Sequence, residues 1–396
     1  MNSKIPFGAA DILLPKEGFE KWACIACDQF TSQPEYWEKA YELAGDACSC
    51  LNIVLPEVYL ERPDKPQRIE KINAAMASYL DNNIFNEYKN AMIYVERTLS
   101  TGKCRCGIVG AFALADYSYE KGTKPLIRPT EGTVLSRIPP RVEIRKDAPL
   151  ELPHIMVLMD DRKRQIVEQI DTSRLQLLYD FDLMLGGGHI KGWLLDETEQ
   201  QRIMAGLEAL YYESGTDDDR LLFAVGDGNH SLATAKAAAE LIGSEESRFA
   251  LAELVNIHDE AVDFEPIYRV MFNVDVADFV SQLHRAFPAA QGRRIDYMSL
   301  NGEGSIYVDG LESDVLQRFI DSYLEKHRDA EVDYIHGVEA TRELAMADRA
   351  IGFIFGGIGK DELFDYVREN GILPRKTFSI GHAEDKRYYI EARRIR

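Results

Sequence analysis

Residues 221–239 read LLFAVGDGNHSLATAKAAA, and the change of pattern inside this stretch decides the fold. Leu221–Val225 is a continuous apolar run of strand length, Gly226–His230 is a turn, and Ser231–Leu241 is an alanine-rich helix that Gly243 stops as a left-handed C-terminal cap. A buried strand feeding a helix through a glycine-containing turn is a building unit of α/β proteins. The turn also concentrates chemistry. The first turn of a helix carries unpaired N–H groups and the positive end of the helix dipole, so an anion sits well there. Gly226 and Gly228 let a phosphate come close to the backbone. Asp227, Asn229, His230 and Ser231 add a carboxylate, an amide, an imidazole and a hydroxyl, a set that can hold Mg²⁺, orient a phosphate or move a proton. The plainer alternative is a helix cap in which Asp or Asn satisfies N–H groups.

Outward from this stretch, the pattern alternates between helix and strand. Pro34–Ala44 and Arg68–Leu80 repeat apolar residues at helical spacing, and Thr198–Tyr212 reads as a third helix. Met92–Arg97 and Arg105–Leu114 are two strands joined by a turn through Ser100–Gly102, and Ile155–Met159 is a further strand. After about Arg269, helices at Val276–Phe287, Ser313–His327 and Lys360–Asn370 alternate with strands at Ser305–Val308 and Ala350–Phe355. The expected class is therefore α/β (mixed α+β), with a region 1–270 and a C-terminal α/β subdomain 271–396.

Two glycine-rich stretches invite a phosphate-loop reading. Gly356-Gly357-Ile358-Gly359-Lys360-Asp361 fails it, because the glycine spacing is wrong and Asp361 stands where Ser or Thr would hold the metal. Gly186-Gly187-Gly188, followed by His189, forms an anion nest or a flexible turn. A second chemical segment is Ile127–Arg141, where Arg128, Arg137, Arg141, Thr130 and Thr133 surround one carboxylate, Glu131. Arginine forks suit phosphates or carboxylates, and a glutamate in such company is a candidate general base; the plainer alternative is a solvated loop with surface ion pairs.

Composition narrows the partners. A net charge of -20 disfavours the phosphate backbone of DNA or RNA, and no helix-turn-helix segment is recognisable. No stretch approaches about 18 consecutive apolar residues, and Met1–Ala10 lacks a leader pattern, so a cytoplasmic protein without a membrane span is expected. The cysteines Cys24, Cys27, Cys48, Cys50, Cys104 and Cys106 are expected as free thiols, since no histidine cluster completes a zinc pattern.

Five ordered segments resemble one family. They are Ile127–Thr133, Gly186–Gly188, Val225–Ala235, Glu253–Asp259 and Leu373–Phe378, and they resemble the bacterial and archaeal domain-of-unknown-function-1015 family. The family's turn usually reads Asp-Gly-His-His-Arg and looks like that of the ParB/sulfiredoxin-like nucleotide-binding fold, whose members include free serine kinases. The resemblance implies a ParB/sulfiredoxin-like N-terminal region in which Asp227, Gly228, Asn229 and His230 face nucleotide phosphates or substrate, with Glu131 on the other wall. Asp28, in Cys27-Asp28-Gln29, matches a family Asp near the N-terminus. The chain departs from the pattern at Asn229 and Ser231, which replace a His and the phosphate-clamping Arg, and at Tyr268, where a His is common.

The implied function is a nucleotide-dependent kinase of a small, serine-like hydroxyl compound, using ATP or ADP and Mg²⁺. In that reading Asp227 or Asn229 helps hold the metal. Glu131, His230 and Asp227 are the catalytic candidates. Gly226, Gly228, Asn229, Ser231, Arg128, Thr130, Thr133, Arg137 and Arg141 are the binding candidates. The alternative is a non-catalytic nucleotide or metabolite sensor that changes its contact with a protein partner, or its homo-oligomeric state, on binding.

Overall fold

In the computed structural model, which describes residues 4–396, the strand expected at Leu221–Val225 runs over Phe223–Asp227 and lies near one edge of a nine-stranded sheet of the described residues. The principal strands are β1 (Ile93–Thr98), β2 (Cys104–Ala113), β3 (Ile127–Pro129), β4 (Met156–Met159), β5 (Gln176–Asp182), β6 (His189–Leu194), β7 (Phe223–Asp227) and β8 (Phe249–Asn256). Their order is β5-β6-β1-β2-β8-β4-β7-β3, with Phe7–Gly8 added on β2. The central strands are buried on both faces, which is why they read as apolar runs without alternation. Period-2 geometry nevertheless assigns each side chain to a face. Ile93, Val95, Val109, Ala111 and Leu251 enter one core, while Tyr94, Ile108, Phe112, Ala250 and Ala252 enter the other.

Each core is closed by helices. The first is covered by α1 (Pro34–Ala44) and α2 (Lys65–Asp81), through Trp37, Ala40, Ile72 and Met76. The second receives Ile138 of α3 (Ile138–Arg145), Ile203 and Leu207 of α4 (Glu197–Glu213), and Leu232, Ala233 and Ala235 of α5 (Asn229–Ile242). Pro139 and Pro140 fall in the first turn of α3, where the missing N–H groups cost nothing. That placement explains how a Pro-containing segment becomes a helix.

The chain divides into two compact units. One comprises the chain up to Val262 together with His382–Arg396, and the other is Asp263–Gly381. The division at Val262 differs from the junction expected after residue 270, because Phe264–Phe272 is one continuous strand of the second unit and Arg269 is buried within it. In that unit Phe264–Phe272 lies in a six-stranded sheet, and Val276–Ala286 and Glu312–Leu324 pack a core through Phe279, Leu283, Leu316 and Ile320. The final residues return to the first unit. Tyr388–Tyr389 pairs with Cys24–Ile25, Arg393–Arg394 pairs with Leu150–Glu151, and the Trp22 indole donates to the Ile390 carbonyl at 2.8 Å. All six cysteines are free, with Cys24 and Cys50 buried. Among the described residues no helix is long and apolar enough to cross a membrane.

Candidate active site

The turn after β7 is shaped by its glycines. The register between β7 and β4 shifts between Val225 and Asp227, a bulge that re-aims the strand end. Gly228 then adopts a left-handed backbone, φ 78° and ψ 26°. A Cβ there would come within 3.0 Å of the Ile155 Cα, so both backbone and space demand glycine. Having no side chain, Gly228 cannot cap α5. Asp227 Oδ1 accepts the Gly228 N–H at 3.0 Å, and its Oδ2 lies 3.4 Å from the Lys386 ammonium. The carboxylate is therefore held beside the helix start instead of closing it. Asn229 Oδ1 is buried and has no hydrogen-bond partner among the described residues.

Beside this helix start opens a cleft whose empty space, its mouth included, is about 840 Å³. Its lining includes the aliphatic residues Ile53, Val54, Leu55, Leu60, Leu150 and Leu152. It also includes the polar residues Asp28, His154, Tyr389, His230, Ser231 and Thr234. Asp28 Oδ2 lies 3.5 Å from His154 Nε2, and the Tyr389 hydroxyl lies 2.8 Å from His154 Nδ1. The Cys27 N–H donates to the same hydroxyl at 3.2 Å, and Gln29 donates to Asp28 Oδ1 at 3.0 Å.

The electrostatics of Asp28 and His154 favour their charged forms together. Burial alone would raise the Asp28 pKa, but His154, Gln29 and Lys386 hold it well below the usual carboxylate range. Burial alone would lower the His154 pKa, but Asp28 first, then Asp227 and Glu57, raise it. The linkage signs follow. The stability that His154 contributes is complete below its unfolded value of 6.5 and is lost as pH rises through the raised folded value. The contribution of Asp28 is present above 3.8 and is lost as pH falls through the depressed one. The stability gap between wild type and His154→Gln, followed by urea unfolding, is expected to be widest between these two values and to narrow toward alkaline pH. A gap that keeps widening above neutrality would contradict the assignment.

The residues singled out in the sequence divide into three groups. His230, Ser231 and Arg141 line the cleft, with Arg141 paired to Glu57. Asp227, Gly226, Gly228 and Asn229 form the turn beside it. The others tie the framework together. The Arg128 guanidinium is taken by Asp219 at 2.8 Å and by the carbonyls of Pro125 and Arg220. Thr130 donates to the Val225 carbonyl at 2.7 Å, Thr133 is part-buried, and Arg137 lies exposed just before α3. His230 Nε2 accepts the Val134 N–H at 3.1 Å, which fastens the Glu131–Val134 segment to α5 and makes this nitrogen an acceptor. Glu131 is half-buried and lies outside the lining of the cleft.

Sequence reasoning noticed Asp28 only through the family resemblance and missed its partners His154, Tyr389 and Lys386. Among the described residues no three His, Cys, Asp or Glu side chains form a group able to hold a metal. Asp227 and Asn229 supply one carboxylate and one amide oxygen. Those two oxygens are too few to cage a divalent cation by themselves.

Several solved structures resemble the chain at low identity. A free serine kinase, as a mutant in complex with AMP, is 12% identical, covering 71% of this chain and 87% of its own, with a TM-score of 0.38. A conserved hypothetical protein from Pyrococcus furiosus is 13% identical, covering 67% and 88%, at 0.34. SbnI with a C-terminal truncation, from Staphylococcus aureus, is 10% identical, covering 71% and 82%, at 0.38. Likeness at that level does not extend to function. No curated protein matches the chain. The DUF1015 family, described as proteins of unknown function, matches residues 5–357, and the chain belongs to it.

Proposed function

We propose that this protein is a phosphotransferase that binds an adenine nucleotide in the cleft beside α5 and transfers a phosphoryl group to a small hydroxyl compound. The observation that carries the reading is the juxtaposition of the Asp28–His154 pair with the uncapped start of α5 in one cleft whose lining also includes aliphatic residues. Phosphoryl transfer requires positioning and charge stabilisation more than covalent chemistry by the protein. The parts match that requirement. The aliphatic residues take the base, and the first-turn N–H groups with the helix dipole take the phosphates. A family resemblance to nucleotide-binding proteins, read from the turn motif, points the same way.

Asp28 is the proton acceptor in this scheme. As the acceptor oxygen approaches phosphorus and the bond to the departing nucleotide opens, the hydroxyl proton passes to the Asp28 carboxylate. His154 fixes that carboxylate through Nε2, and Tyr389 fixes His154 through Nδ1. A carboxylate of depressed pKa is a weak base, which suits a loose transition state in which the proton moves late. Magnesium brought in with the nucleotide would supply charge neutralisation at the phosphates, and Asp227 and Asn229 are the residues that would hold it. His230 holds the Glu131–Val134 segment in place, and Glu131 is left out of the chemistry.

Ser231→Glu tests the phosphate position. A glutamate in the first turn favours the helix itself while repelling a bound anion. Calorimetric titration of Mg·ATP and Mg·ADP is expected to show binding to the wild type and a loss of at least about tenfold in the variant, equal to ~1.4 kcal/mol. Equal affinity for both proteins would move the phosphates elsewhere. Binding by the wild type without turnover of any alcohol would favour a sensor over a kinase.

A further inference from the structure

Lys386 is only 9% exposed, and it lies beyond the residues that the family matches. Its ammonium sits 3.4 Å from Asp227 Oδ2, and its charge also helps depress the Asp28 pKa. It therefore stands beside Asp227, in the turn that adjoins the cleft, and neither of the two belongs to the lining itself.

The backbone carrying this lysine is anchored at consecutive residues. Arg97 donates to the carbonyls of Lys386, Glu384 at 2.8 Å and Gly187 at 2.9 Å. The Asp385 carboxylate accepts from the Ser100 N–H at 2.7 Å and the Ser100 hydroxyl at 2.8 Å, while Arg105 donates to the Asp385 carbonyl at 3.2 Å. Arg387 pairs with Glu253 at 3.0 Å. Buried guanidinium groups and carboxylates are costly to desolvate. Apolar residues such as Tyr388, Ile390 and Ala392 already bury the returning segment. The polar anchoring adds a defined backbone position for residue 386, and a long ammonium side chain held at one place is suited to a phosphate.

We propose that Lys386 is the phosphate-binding cation of this site. In a nucleotide complex its ammonium would exchange the Asp227 carboxylate for the terminal phosphate oxygens. This rests on the nucleotide reading above.

The experiment compares ATP, ADP, adenosine and inorganic phosphate binding to wild type, Lys386→Met and Lys386→Arg, by calorimetry. The wild type is expected to bind both ATP and adenosine. Lys386→Met is expected to bind adenosine as the wild type does and ATP about 10- to 100-fold more weakly, the range for losing a charged hydrogen bond. Lys386→Arg is expected to recover part of the ATP affinity. Unchanged ATP affinity in Lys386→Met would overturn the proposal. So would an equal loss for ATP and adenosine, since that marks a purely structural lysine. A wild type that binds neither ATP nor adenosine would instead remove the nucleotide reading itself, and this proposal with it.

Discussion

Asp28→Asn is expected to lower phosphoryl transfer by about 10²–10⁴-fold, the usual contribution of a positioned general base, while nucleotide affinity changes little. The amide keeps the shape of the carboxylate and its hydrogen bond from Gln29, but it cannot accept the hydroxyl proton. It also removes the charge that raises the His154 pKa, so the variant should lose the pH-dependent stability contributed by the pair. Glu131→Gln is the comparison. Asp28, which lines the cleft, takes the proton in the proposed scheme and Glu131 does not, so turnover is expected to stay within a few-fold of wild type. Steady-state measurement of ADP release, with a panel of small alcohols, reads both variants. Loss of turnover in Glu131→Gln with activity kept in Asp28→Asn would exchange the two roles.

The second large effect concerns stability. Arg387, only 2% exposed, pairs with Glu253 at 3.0 Å and Glu391 at 2.5 Å, and Tyr179 donates to Glu391 at 2.6 Å. Although burial opposes ionisation, Arg105, Arg387 and Arg97 hold the Glu253 carboxyl below the usual range. Gly107 makes room for this carboxylate, since a Cβ there would lie 2.6 Å from Glu253 Oε1. Arg387→Met leaves Glu391 buried without its cation and is expected to cost about 3–5 kcal/mol, measured by urea unfolding. Because the same backbone carries Lys386 and Tyr389, turnover should fall as well. A loss below about 1 kcal/mol, the level of an exposed pair, would show that the network relaxes freely.

Local signals were legible in the sequence where they were short-range. Pro34–Ala44 and Lys360–Asn370 are helices over the expected residues, because a proline start in one and a glycine stop after both mark the ends. The strand–turn–helix at 221–242 and its Gly243 cap were equally plain. The hairpin Gln176–Asp182 with His189–Leu194 was missed, although Gly186–Gly188 drew notice as a turn. The strand Phe249–Asn256 was missed too, since a run buried on both faces has no periodicity to distinguish strand from helix.

The site was half legible for a related reason. Helix dipoles and glycines act over a few residues, so the turn at Asp227–Ser231 could be found by spacing. The Asp28–His154–Tyr389 chain could not, since His154 and Tyr389 are 235 positions apart and are joined only when the final segment pairs with Cys24–Ile25. Arg128 shows the same limit. Its sequence context allowed either an anion clamp or an ion pair, and only the fold shows that the buried guanidinium satisfies its donors on Asp219 and two carbonyls.

The most direct measurement is a crystal structure of the protein with Mg·ADP bound. The base is expected against Val54, Leu55 and Leu150 and the phosphates at the first turn of α5, within hydrogen-bond distance of its N–H groups and of Lys386. Phosphates lying elsewhere on the protein, with the Asp28–His154 cleft empty, would contradict the proposed function.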